Sequence, residues 1–142
     1  MTDANPARLP RDMPAFYAET HFRTPTQIVA WPVAFAIITA YATTGESWSA
    51  ARNAAADAAL EAALREMGLP IQRITGYSPV TLHAEPGWAA PLSFAAACEI
   101  GLRFRQDAIY YVKNGMLYVS HCDRRRRLIP LGPFLPRLHV AK

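Results

Sequence analysis

The stretch DAIYYVKNGMLYVSHC, residues 107–122, decides the fold class. Asn114-Gly115 supplies two adjacent residues that tolerate positive φ, as a type I′ turn requires, between runs rich in β-branched and aromatic side chains. The register of the hairpin follows from that two-residue loop. Val112 pairs with Leu117, Tyr110 with Val119 and Ala108 with His121 on one face, while Tyr111 pairs with Tyr118 and Ile109 with Ser120 on the other. The face carrying Tyr110, Val112, Leu117 and Val119 is expected to meet the core.

Upstream of the hairpin, Pro91 is placed to open a helix reaching about Arg105, with Glu99 and Arg103 on its wet side and Phe94, Ala97, Cys98, Gly101 and Phe104 on the other. Residues 70–77 and 80–83 read as strands parted by a turn at Ser78-Pro79, and Glu85-Pro86-Gly87 as another turn. The clearest helix is Ser49 to Met67, capped by Ser47 or Ser49 and ended by Gly68. Its 100° spacing puts Ala56, Leu60, Leu64 and Met67 on one stripe with Asn53 at the centre, so Asn53 is expected to point inward. VAFAIITAY, residues 33–41, is apolar at odd and even positions alike, the pattern of a central strand covered on both faces. Residues 24–31 read as an extended segment and Met13 to Thr20 as a short helix.

The resulting order is α-β-β-α-β-β-α-β-β. Strands in pairs alternating with single helices predict an α+β domain of two layers, with an antiparallel or mixed sheet and helices largely on one face. Residues 1–11 are a loose lead-in, 12–123 one domain, and 124–142 an Arg- and Pro-rich tail that fits neither a helix nor a central strand and can pack back as an extended arm.

The chain has 142 residues, 51% hydrophobic and 18% charged, enough to bury a core without metals or disulfides. The apolar excess, much of it alanine, allows a homodimer. The longest apolar run, residues 31–42, is too short for a membrane span and no basic, apolar leader opens the chain, so a soluble cytoplasmic protein is expected. Cys98 and Cys122 lack metal or redox spacing and read as reduced structural thiols. The net charge of +4 sits largely in Arg124, Arg125, Arg126 and Arg127, with Arg137 and Lys142 behind. That run is the candidate nucleic-acid contact, with tyrosines of the hairpin available for base stacking. It also fits a solvated charge run of little consequence for stability.

FAIITAY at residues 35–41, the helix start with Ser47 and Asn53, the Glu85-Pro86 pair and FRQDAI at 104–109 together resemble the bacterial family of domain of unknown function 3293, over roughly residues 33–120. The family pattern commonly has asparagine where this chain has Tyr41 and Asp107, so a role for those amides does not carry over. The resemblance implies no reaction, cofactor or partner.

The residues themselves point to one end of the central strand. Thr39, Tyr41, Thr43, Thr44 and Ser47 bring hydroxyls to a helix N-terminus, with Gly45 available for a close approach, which makes a small anion the candidate ligand there. No lysine follows that glycine, so this is not a P-loop, and capping with turn chemistry accounts for the same residues. Asn53 and Gln106 are amides whose burial demands partners, either from the fold or from a bound molecule. His83 and Glu85, two apart, share a strand face and could act as an acid/base pair, but no nucleophile is placed beside them. His121, Cys122 and Asp123 alternate faces, so no metal site is expected. The reading is therefore an uncharacterised protein, a non-enzymatic small-ligand-binding or interaction module whose ligand site is Thr39, Tyr41, Ser47, Asn53, Glu85 and Gln106. Nucleic-acid binding through residues 124–127, or an enzyme on a small anion with Glu85 as base, are the alternatives. No catalytic set is complete and no cofactor motif occurs.

Overall fold

The computed structural model describes residues 9–43 and 46–141. Residues 1–8, Thr44, Gly45 and Lys142, all used in the reading above, lie outside the described residues. The elements are α1 (Phe16–Glu19), β1 (His21–Thr24), β2 (Ala34–Thr39), α2 (Ala50–Glu66), β3 (Gln72–Tyr77), β4 (Ala84–Ala90), α3 (Phe94–Arg103), β5 (Ala108–Lys113), β6 (Met116–His121), β7 (Ile129–Pro133), a single 3₁₀ turn at Leu135–Arg137 and β8 (Leu138–Val140). The protein is α+β, with one mixed eight-stranded sheet in the order β7-β6-β5-β2-β4-β3-β1-β8. All pairings are antiparallel except β1 with β8.

That order forces the sheet to curl. Its two edges, β7 and β8, are joined by residues 134–137 alone. A flat sheet of eight strands at about 4.8 Å spacing would hold its edges roughly 34 Å apart, whereas the connection spans at most roughly 18 Å when fully extended. The sheet therefore rolls up, and its concave face encloses a core of its own. Phe22, Phe35, Ile37, Ile74, Ala89, Val112, Leu117, Val119, Ile129, Leu131 and Phe134 fill it, so seven of its strands or their ends contribute. Phe134 packs edge-on against Phe35 at 5.6 Å and tilted against Phe22 at 5.7 Å. Each fully buried phenylalanine contributes on the order of 1.5–3 kcal/mol through burial.

The convex face carries the second core. Ala36, Ile38, Trp88, Ala90, Ile109 and Tyr111 meet Leu60 and Leu64 of α2 and Ala97, Cys98 and Ile100 of α3. The doubly apolar pattern of β2 thus has its cause, since odd positions face the barrel-like interior and even positions face helices. The sheet expected as one of two layers is curled: α2 and α3 cover its convex face, while Tyr17 and Ala18 of α1 pack on the concave cluster. The hairpin has the expected register, with Asn114 at φ +51° and Gly115 at +78°.

Several local expectations need correction. Residues 25–31 form no strand, and 80–83 form a turn with Leu82 at φ +64°. Glu85-Pro86-Gly87 lies inside β4. Pro86 pairs with Thr75 of β3, but β2 reaches only to Gly87, so a missing N–H is tolerated there. Gly87 is read as a turn residue from sequence, yet it is needed for close approach, because a Cβ would collide with the carbonyl oxygen of Ile38. Helix α3 starts at Ser93, whose hydroxyl accepts from the Ala96 N–H, and not at Pro91. Met67 is exposed, and Asp57 with Ala63 is buried on α2 in its stead. The segment after Cys122 supplies both edge strands, which are the places where Pro130 and Pro133 can sit in a sheet.

Candidate functional site

A curled sheet that does not close leaves an opening at one end, where the C-terminal ends of β2 and β3 meet the N-terminal ends of β1, β4 and β5. A cleft of about 470 Å³ occupies it. Side chains of the concave face continue into this cleft by strand alternation: Thr39 follows Phe35 and Ile37, Glu85 precedes Gly87 and Ala89, and Tyr110 precedes Val112. Gly76 pairs with Glu85 and has no side chain; a Cβ there would touch Thr20 and Phe22.

The polar wall is one connected group. The Thr39 hydroxyl lies 3.0 Å from Gln106 Oε1 and 3.4 Å from Glu85 Oε1. Glu85 Oε2 is 3.0 Å from His83 Nε2, on an exposed imidazole. Gln106 Nε2 donates to the carbonyls of Tyr41 at 2.9 Å and Phe104 at 3.1 Å. Gln106 reaches this position because α3 ends in a Schellman motif, with its own N–H bonded to Gly101 O at 2.8 Å and Arg105 N–H to Leu102 O at 3.0 Å. Arg105 carries the left-handed conformation usually given to glycine, φ +60°.

Asn53, half-buried and not largely buried as expected, accepts at Oδ1 from the Ala42 N–H at 2.9 Å. It thereby ties the chain leaving β2 to the first turns of α2. The cap of α2 is Ser49, whose hydroxyl accepts from the Arg52 N–H, so Ser47 is left exposed at the rim. Thr39, Tyr41, Thr43, Ser47, Asn53, Glu85 and Gln106 all line this one cleft.

Sequence reasoning missed the aromatic wall. Phe22, Tyr17, Tyr110, Tyr77 and Trp48 also line the cleft. Tyr110 stands edge-on to Phe22 at 5.1 Å, and its hydroxyl bonds Thr20 Oγ1 at 2.7 Å and Tyr17 O at 3.1 Å. Burial pushes the Tyr110 phenol well above its usual value, so it stays protonated. The alternation of β5 announces that Tyr110 faces inward. That it meets β1 across the curl depends on pairings between distant segments.

No lysine or arginine lines the cleft among the described residues; its charged side chains are Glu46, Glu85 and, when protonated, His83. As a chemical device the Glu85–His83 pair could move a proton. The Thr39 hydroxyl is engaged with Gln106 and Glu85, and among the described residues no serine or cysteine is bonded to the imidazole, so these residues assemble no activated nucleophile. Among the described residues no group of three metal-binding side chains occurs, and no helix is long and apolar enough to cross a membrane.

The arginine run lies elsewhere. Arg125 is held between Asp123 and Asp12, and its hydrogen bonds keep the Asp123 carboxyl down at about 2. Arg126 bonds Glu99 at 3.1 Å and the carbonyl of Cys122 at 2.7 Å, while Arg124 and Arg127 are exposed. Tyr110 and Tyr111 spend their hydroxyls inside the fold and present no stacking platform beside these arginines. Cys98 and Cys122 are buried, and burial raises the Cys122 thiol to about 12.

The family model described as "Protein of unknown function (DUF3293)" matches residues 38–109, about half of the chain. The chain belongs to that family. The matched segment runs from the end of β2 to the start of β5, so within DUF3293 boundaries fall Thr39, Tyr41, Asn53, Glu85 and Gln106 together with α2 and α3. Tyr110, Phe22 and Tyr17, which build the aromatic wall, lie outside it. No curated protein and no solved structure matches the chain.

Proposed function

We propose that this DUF3293 protein is a non-enzymatic module that binds a small organic ligand in the cleft at the open end of its curled sheet. The observation that carries this reading is the convergence of Thr39, Tyr41, Ser47, Asn53, Glu85 and Gln106, from five separate stretches of sequence, on one concave space. Its volume falls within the range of small-molecule sites, and its make-up is typical of them, with aromatic walls and a few placed polar groups. The incomplete catalytic set supports binding over turnover.

A thermal-shift screen against nucleotides, amino acids, amines and organic acids tests the reading. A ligand at a hundred times its dissociation constant stabilises by about 2.7 kcal/mol, and that stabilisation should vanish in Gly76→Leu, which fills the cleft beside Phe22. A hit that Gly76→Leu binds unchanged would place the ligand elsewhere and remove the proposal.

A further inference from the structure

We infer, resting on the cleft as a ligand site, that the ligand is a protonated amine carrying an apolar group, and not an anion. Three observations point the same way. First, the protein is basic, with 15 lysines and arginines, yet none of them lines the cleft among the described residues, whereas two carboxylates do. An anion entering there would meet Glu85 and Glu46, while the guanidiniums of Arg52 and Arg23 sit on the rim rings Trp48 and Tyr77 and that of Arg137 on the Thr20 carbonyl, none of them in the lining, an arrangement that disfavours negative charge.

Second, acceptors outnumber donors where Glu85 Oε1 and Gln106 Oε1 meet. Glu85 Oε1 and Gln106 Oε1 both turn to the single hydroxyl proton of Thr39, at 3.4 and 3.0 Å, and that proton can serve only one of them well. Both protons of Gln106 Nε2 are taken by backbone carbonyls. His83 Nε2, 3.0 Å from Glu85 Oε2, serves the other carboxylate oxygen, so at Glu85 Oε1 and Gln106 Oε1 two acceptors share one hydroxyl proton, and an ammonium group brings three donors to that spot. Third, the remaining walls carry the aromatic residues Tyr17, Tyr41, Trp48, Tyr77 and Tyr110, with Phe22 fully buried beside Tyr110, and aromatic rings attract a cation through their quadrupoles. At the rim this already happens within the chain: the Arg52 guanidinium lies 3.9 Å from the Trp48 ring and that of Arg23 lies 4.9 Å from Tyr77.

The inference replaces the small anion expected from the start of α2. Ser49 takes the Arg52 N–H there, and the anionic groups of the cleft are the carboxylates of Glu46 and Glu85. The amine would set its nitrogen at Glu85 and Gln106, and its apolar part along Tyr110 and Tyr17.

Isothermal titration with four molecules of matched shape tests the assignment: benzylamine, benzyltrimethylammonium, benzyl alcohol and benzoate. The expected order is benzylamine tightest, benzyltrimethylammonium weaker for want of N–H donors, and benzyl alcohol weaker than benzylamine by at least about tenfold, as one charge-assisted contact implies. Benzoate should not bind. Glu85→Gln should reduce benzylamine affinity at least about tenfold, and Glu85→Asp less, with circular dichroism melts confirming that both variants fold. Preferential binding of benzoate, or equal binding of benzylamine and benzyl alcohol unaffected by Glu85→Gln, overturns the amine assignment while leaving a cleft that binds ligands. Heat from none of the four also overturns it, and the wider metabolite screen then decides the fate of the cleft reading separately.

Discussion

Asn53 Oδ1 accepts the Ala42 N–H at 2.9 Å, so one side chain in the first turns of α2 anchors the chain just as it leaves the central strand. Replacement by leucine removes the acceptor from a half-buried N–H and should cost about 1–3 kcal/mol. Asn53→Asp keeps the acceptor near a helix N-terminus, where a negative charge is favoured, and should stay within about 1 kcal/mol of the parent. Urea melts of the two variants check this. Equal losses in both would mean that the bond does not hold the loop.

Arg73 of β3 forms two parallel hydrogen bonds to Asp57 of α2, at 2.8 and 2.7 Å, and its guanidinium lies over the Trp88 ring. Those hydrogen bonds raise the Arg73 pKa further. The arginine is partly exposed, so the full cost of breaking a buried pair is not expected. A double-mutant cycle of Asp57→Asn and Arg73→Met should give a coupling of about 1–2 kcal/mol after allowance for solvent screening. Simple additivity would show that α2 docks without this pair.

Gly87 and Gly115 should respond differently to alanine. At Gly115 a Cβ meets open space and pays only for the left-handed backbone, about 1–2 kcal/mol. At Gly87 a Cβ meets the backbone of β2, and overpacking against an immovable carbonyl should cost about 3 kcal/mol or more. A Gly87→Ala variant as stable as Gly115→Ala would contradict the close approach of β4 to β2.

His21 and His139 stack at 5.3 Å with ring nitrogens 3.0 Å apart, joining β1 to the edge strand β8. Burial, followed by the neighbouring His139 and Arg137, lowers the pKa of His21. A histidine that is harder to protonate when folded binds its proton first in the unfolded chain. Its contribution is therefore intact above the ordinary value near 6.5 and is lost as pH falls through that value. The protection factor of the Ala141 amide, bonded to Thr24 O, should fall between pH 7.5 and 5.5 once the base-catalysed intrinsic rate is divided out, and His139→Phe should flatten the effect. Identical profiles for parent and variant would remove the histidine pair as its cause.

Much of the architecture was legible because it rests on local chemistry. Asn114-Gly115 fixes a turn, Gly68 ends α2 at φ +76°, and the unbroken apolar pattern of β2 marks a strand covered twice. The curl was not legible, since it arises when the short link at 134–137 brings opposite edges together. Pro86 and Gly87 misled for the same reason. Their turn chemistry is local, but their place in β4 is set by neighbours far away in sequence. In the cleft, helix phase and strand alternation brought out the polar residues, while Phe22 and Tyr17 required knowledge of which strand lies beside which.

The central claim is that ligand binds at the open end of the sheet. Amide chemical-shift mapping with benzylamine tests it most directly. The account predicts that the largest shifts fall on Thr39, Gly76, Glu85, Gln106 and Tyr110, and that they disappear in Gly76→Leu. Shifts concentrated on Arg124–Arg127, or the same shifts persisting in Gly76→Leu, would contradict it.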